Sequence, residues 1–69
     1  MKISMDLKAD ALYIKFQDGK FFKNKKIDND TIIDLDKNGK LLGIELLNAK
    51  KRISAKALRN VIVSMPAYA

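Results

Sequence analysis

The chain has 69 residues, with no cysteine and no histidine, and a formal net charge of +6 from 14 Lys+Arg against 8 Asp+Glu. That length is one domain. The composition excludes a disulfide framework and thiolate metal sites, and it removes the commonest metal ligand and general base. A chain this short buries only about 60% of its unfolded surface, so a second subunit or bound partner is the expected staple.

The first ten residues alternate charged and apolar side chains, and the run Val61-Ile62-Val63 is far shorter than a membrane span needs. A soluble, cytoplasmic protein with no leader and no membrane contact is expected. The charge is unevenly placed. Asp28, Asp30, Asp34, Asp36 and Glu45 hold the middle, flanked by Lys20, Lys23, Lys25 and Lys26 on one side and by Lys50, Lys51, Arg52, Lys56 and Arg59 on the other. Such clusters suit a solvated surface, nucleic acid or an acidic protein.

In chain order, Ile3 and Met5 mark a first alternating strand, and residues 6–10 read as a loop. Residues 11–16 form the second strand, with Leu12, Ile14 and Phe16 on one face and Tyr13 and Lys15 on the other. Asp18-Gly19 is a two-residue hairpin signal, which returns the chain as a lysine-rich strand over residues 21–27, at or near a sheet edge.

Residues 31–36 and 41–47 are the strongest strands. Asn38-Gly39 between them predicts a type I′ turn. That turn pairs Lys37 with Lys40, Leu35 with Leu42, Ile33 with Ile44 and Thr31 with Leu46, giving one apolar face. The other face pairs Asp36 with Leu41, Asp34 with Gly43 and Ile32 with Glu45. Beyond Ser54, an N-cap residue, Leu58, Val61, Ile62 and Met65 recur at helical spacing. The helix ends before Pro66. The expected fold is α+β: an antiparallel β-meander of four to five strands over residues 1–49, with one C-terminal helix over 54–65 packed on one face.

Asp34-x-Asp36-x-Asn38-Gly39 followed by Glu45 has the spacing of an EF-hand calcium loop. The flanking segments are strands rather than helices, and extended arms put Glu45 roughly 16 Å from the turn. No metal and no cofactor is therefore expected, with Asp34, Asp36 and Glu45 only weak candidates for a cation. Paired carboxylates do acid–base work when their environments split their pKa values, and no apolar pocket surrounds one of these, so no enzyme is expected. Tyr13, Phe21 and Phe22 interleave with Lys15, Lys20, Lys23, Lys25 and Lys26, which could stack bases and contact phosphates. Leu58, Val61, Ile62 and Met65 offer an apolar stripe to the sheet, a protein partner or a second copy.

Asp10-Ala11-Leu12-Tyr13-Ile14, Asp34-Leu35-Asp36, Asn38-Gly39 and the run Leu42-Gly43-Ile44-Glu45-Leu46-Leu47-Asn48-Ala49 resemble the prokaryotic family called domain of unknown function 2283. The resemblance covers roughly residues 1–54. It departs at Met5, where many members carry an aromatic residue, and at Lys26, where many carry an acid. The family has no established activity, so no catalytic residue carries over. Its genes often stand beside small toxin-like genes, which implies an antitoxin or accessory role. The reading from sequence is a non-enzymatic interaction module that dimerises or binds a protein; the alternative is a basic nucleic-acid-binding sheet.

Overall fold

The computed structural model describes residues 1–62. The chain forms five strands, β1 (Lys2–Asp6), β2 (Ala11–Lys15), β3 (Lys23–Asp28), β4 (Thr31–Leu35) and β5 (Leu41–Leu47). Two short helices follow, α1 (Ala49–Arg52) and α2 (Ala55–Arg59). All strand pairs are antiparallel in one open sheet of order β1-β2-β5-β4-β3. The α+β class holds, and no helix among the described residues is long and apolar enough to cross a membrane.

The path is a meander within β1–β2 and within β3–β4–β5, but not between them. Asp18-Gly19 does not make a hairpin. Residues 16–22 instead cross the end of the β4–β5 hairpin and deliver β3 to the far edge. The Phe16 amide donates to the Leu42 carbonyl at 2.8 Å, and the Phe22 amide to the Leu35 carbonyl at 2.9 Å. Gln17 Nε2 donates to the Leu41 carbonyl at 2.8 Å. Gly19 lies on the buried Leu42, where a Cβ would stand 2.5 Å from Leu42 Cδ2. With β2 beside β5 rather than β3, strands β2 to β5 form a Greek key.

The β4–β5 turn also differs from the type I′ expectation. Asp36 N donates to Lys40 O at 3.0 Å, and Gly39 N to Asp36 O at 3.1 Å. Gly39 has φ +81° while Asn38 is not left-handed, which is a three-residue loop ending in a left-handed glycine. Asp36 drives this choice: its Oδ1 accepts from the amides of Asn38 at 2.9 Å and Lys40 at 2.8 Å. Leu35 therefore pairs with Leu41, not Leu42. A register shift between Asp34 and Leu35 then restores the expected pairs Asp34–Gly43, Ile33–Ile44, Ile32–Glu45 and Thr31–Leu46.

The opposite end of the sheet is locked by polar side chains. Asn48 has φ 53° and offers no side-chain cap to α1. Asp10, itself at φ 52°, supplies one: its Oδ1 accepts from Lys50 N at 3.0 Å, and its carbonyl from Ala49 N at 3.0 Å. Ala49 is fully buried beneath this cap. The Arg52 guanidinium donates to Thr31 Oγ1 at 2.8 Å and to the Asp30 carbonyl. Asn48 Nδ2 donates to Asp30 Oδ1 at 2.9 Å.

The long helix over 54–65 is not formed. Ser54 caps α2 as expected, its Oγ accepting from Ala57 N at 3.1 Å. Asn60 then leaves helical geometry at φ −123°, ψ 110°. The β-branched Val61 and Ile62 that follow disfavour a further turn. Neither helix covers the sheet broadly; the extensive contacts between elements are all strand against strand.

Replacing Asp10 by Ala removes the α1 cap and places a Cβ-bearing residue without a local hydrogen-bonding side chain in the left-handed region. Urea unfolding should show a loss of about 1–2 kcal/mol, with Asp10→Asn retaining most of the wild-type stability.

Candidate functional site

Three places gather chemistry-bearing side chains. The first is the polar face of the sheet. Tyr13 on β2 stands opposite Glu45 on β5, and one rung on, Gly43 stands opposite Asp34 on β4. Tyr13 reaches diagonally across β5, and its hydroxyl donates to Asp34 Oδ2 at 3.0 Å. Its route passes over Gly43, where a Cβ would come within 2.7 Å of Tyr13 Cζ and 2.9 Å of the Ile14 carbonyl. Gly43 is thus the slot that admits the ring, and Tyr13 ties β2 to β4 across the strand between them.

Burial, the hydrogen bond to Asp34 and the charges of Asp34 and Glu45, in that order, push the Tyr13 phenol above its ordinary value of 10.0. A phenol held neutral donates well and ionises poorly. The chemistry of this arrangement is therefore a cross-sheet bond rather than an activated acid or nucleophile.

The three carboxylates singled out in the sequence are not brought together as one set. Asp34 is engaged by Tyr13, Asp36 closes the hairpin loop, and Glu45 lies opposite Tyr13 and Ile32. Among the described residues, no three of His, Cys, Asp and Glu come close enough to hold a metal ion. The EF-hand spacing is spent on a β-turn. Asp6, Asp28 and Asp36 share one job, since each accepts a hydrogen bond from the amide two residues on. Asp28 is held below its ordinary value chiefly by its bond from the Asp30 amide.

The second place is the corner where the 16–22 crossover meets the β4–β5 turn. Lys20, Phe21, Phe22, Lys37, Asn38 and Asp36 line a cleft of about 300 Å³ there. Lys23, Lys25 and Lys26 continue from it along the exposed edge strand β3. Tyr13 and Lys15 do not belong to this group. Tyr13 is on the Asp34 face, and Lys15 pairs with Asp18 at 2.6 Å, which lowers the Asp18 pKa.

The third place is the apolar face. Ile3, Ile14, Ile44 and Ile33 form one row across four strands, and Met5, Leu12 and Leu46 form the next, ending at Thr31. Of these, Leu12 and Thr31 are buried, while Ile3 is 40% exposed. Leu58 is half-buried beside a cleft of about 410 Å³ shared with Met5, Leu7 and Ile53. Val61 and Ile62 follow α2 and are exposed, so they do not share a helical stripe with Leu58. Met65 lies outside the described residues.

A model of the family of proteins of unknown function DUF2283 matches residues 2–50. The chain belongs to that family. The DUF2283 span takes in Asp10, Tyr13, Asp34, Gly43 and Ala49, and stops short of Arg52 and α2. No curated protein and no solved structure gives a significant match.

Sequence spacing does not reveal the Tyr13–Asp34 bond, although it leaves a gap at Gly43 beside Asp34; the bond depends on the pairing of β2 with β5. Two variants test the tie. Tyr13→Phe should cost about 1 kcal/mol in urea unfolding, and Gly43→Ala about 1–3 kcal/mol, because ring and backbone must both shift. The raised phenol pKa means that the folded chain binds this proton more tightly. Its contribution is full below the ordinary value of 10.0 and is lost as pH rises through the folded value. Stability measured from neutral to alkaline pH should therefore fall more steeply for wild type than for Tyr13→Phe.

Proposed function

We propose that this domain is a non-enzymatic protein-interaction module of the cytoplasm, antitoxin-like or accessory in role, that associates through the apolar face of its sheet. Its first partner is a second copy of itself. The observation that carries this reading is the double apolar row, Ile3–Ile14–Ile44–Ile33 and Met5–Leu12–Leu46, with no second layer of secondary structure set broadly against it among the described residues.

Domains are built from at least two packed layers, and the shape here is that of one. The Cα envelope measures 34 × 33 × 18 Å, and the radius of gyration is 13.3 Å, where a compact chain of this length has about 11 Å. The accessible surface is 5816 Å², against about 4,400 Å² for a compact protein of this mass. Two copies packed face to face make a sandwich about 10 Å thick between sheets. A stable interface needs about 1,200–2,000 Å² in total, which a face of this breadth can supply. A two-fold contact also uses the same patch on both partners, which suits a face of uniform character.

Sedimentation equilibrium should show a dimer whose population rises with concentration. Ile3→Lys places a charge at the exposed end of the face, on edge strand β1, where the monomer tolerates it. It should weaken the dimer at least ten-fold while leaving the circular dichroism spectrum intact. A protein that stays monomeric at millimolar concentration, or a dimer indifferent to Ile3→Lys, overturns this reading.

A further inference from the structure

We propose a binding site for single-stranded nucleic acid at the corner between the 16–22 crossover and the β4–β5 turn, with Phe21 and Phe22 as stacking surfaces and lysines as phosphate contacts. The phenylalanine corner lies off the apolar rows, while Lys23 and Lys25 stand opposite Leu35 and Ile33 at the β3 end of that face.

Phe21 is 55% exposed and Phe22 61% exposed. Among the described residues, the buried apolar ones are Ala11, Leu12, Leu42 and Ala49. A chain so short of core leaves two of its three phenylalanines outside, although large aromatics are what a small fold most gains from burying. Their position follows from the topology. Because residues 16–22 cross the hairpin end rather than turn back as a hairpin, Phe21 and Phe22 arrive at the lip of the cleft and not within the sheet's apolar rows.

The charge around them is complementary to a polyanion. Residues 20–27 carry Lys20, Lys23, Lys25 and Lys26 and no acid. None of these four is ion-paired among the described residues, and all are exposed. Lys37 joins Lys20 on the cleft wall. The acid that also lines it, Asp36, has its Oδ1 occupied by two backbone amides, at 2.9 and 2.8 Å. Lys23 and Lys25 alternate with Asn24 along an edge strand, so cations continue the line of the cleft along β3. Aromatic faces ringed by lysines recognise unstacked bases and the backbone that joins them, without reading sequence. A duplex hides its base faces and gains only the lysines.

The test is fluorescence anisotropy with a labelled oligothymidylate, an oligouridylate and a duplex of equal length, over a salt series. The two single strands should bind more tightly than the duplex, with log K falling linearly against log salt. Phe21→Ala with Phe22→Ala should lose roughly ten-fold or more in affinity at an unchanged salt slope, and the tryptophan replacements should retain binding. Lys23→Ala with Lys25→Ala should instead flatten the slope by about 1.4, at about 0.7 for each phosphate that is no longer neutralised. Circular dichroism checks that each exposed-site variant folds. The proposal is overturned if no single strand binds at low salt, if the double alanine variant at Phe21 and Phe22 binds unchanged, or if polyglutamate or the duplex binds as tightly as the single strands.

Discussion

The central strand β5 is the constraint on which the sheet depends, because it is paired along both sides, with β2 and with β4. A slip of one residue against either neighbour would carry Ile44 and Leu46 off the apolar face and put Glu45 and Gly43 on it. Local turn chemistry pulls against that register. Asp36 favours a three-residue loop, since its carboxylate then accepts two amides, and such a loop sets the strands one residue out of step. The shift between Asp34 and Leu35 absorbs the difference. Turn and face are each satisfied, at the cost of one irregular rung placed next to the loop, where few apolar pairs are disturbed.

That compromise explains which parts of the fold are legible in the sequence. The positions of β1, β2, β4 and β5 and the pairs from Thr31–Leu46 to Asp34–Gly43 follow from alternation, which is local. The partner of β2 does not. Asp18-Gly19 spells a hairpin, yet Lys23–Asp28 reads KNKKID, charged or polar on both faces. Placed between β2 and the rest of the sheet, it would split the row Ile3–Ile14–Ile44–Ile33 with lysine. Long-range burial outweighs the local turn signal and expels this strand to the edge. The Tyr13–Asp34 bond becomes visible only with that topology, because its partners are separated by 21 positions. α1 is equally hidden. It starts from a left-handed Asn48 and takes its cap from Asp10, 40 positions from Lys50. Ser54 capping α2 is legible. The early end at Asn60 is not, because the apolar spacing beyond it is helical while the β-branched residues there are not helix formers.

The candidate site is legible in composition and not in arrangement. The acids of the calcium-like spacing are real neighbours in sequence, but the hairpin loop consumes Asp36, Tyr13 engages Asp34, and Glu45 lies along β5. Lys20, Phe21 and Phe22 do come together in one cleft, with Lys23, Lys25 and Lys26 following on β3, and without Tyr13 and Lys15, whose strand faces a different set of partners. A residue type at a suggestive spacing thus marks a site only when the backbone leaves its functional atoms unspent, as it does for the exposed rings of Phe21 and Phe22 and not for the carboxylate of Asp36.

The two edges of the sheet bear on how the molecule can associate at all. An open sheet can grow sideways through its unpaired edge strands or be covered on its face. β3 exposes every one of its six residues, three of them lysine, and bends at a register irregularity between Lys26 and Asp28. β1 has only five residues and carries Lys2 and Asp6 at its ends. Charge, irregularity and brevity are the devices that keep edges from pairing. They leave the apolar face as the surface with most to gain from contact, and they make the same lysines serve two ends. On β3 they repel a second sheet edge, whose backbone groups bring no anion to offset them. A phosphate backbone brings one at each step, so the edge that refuses another strand is the one along which the proposed nucleic-acid strand would run.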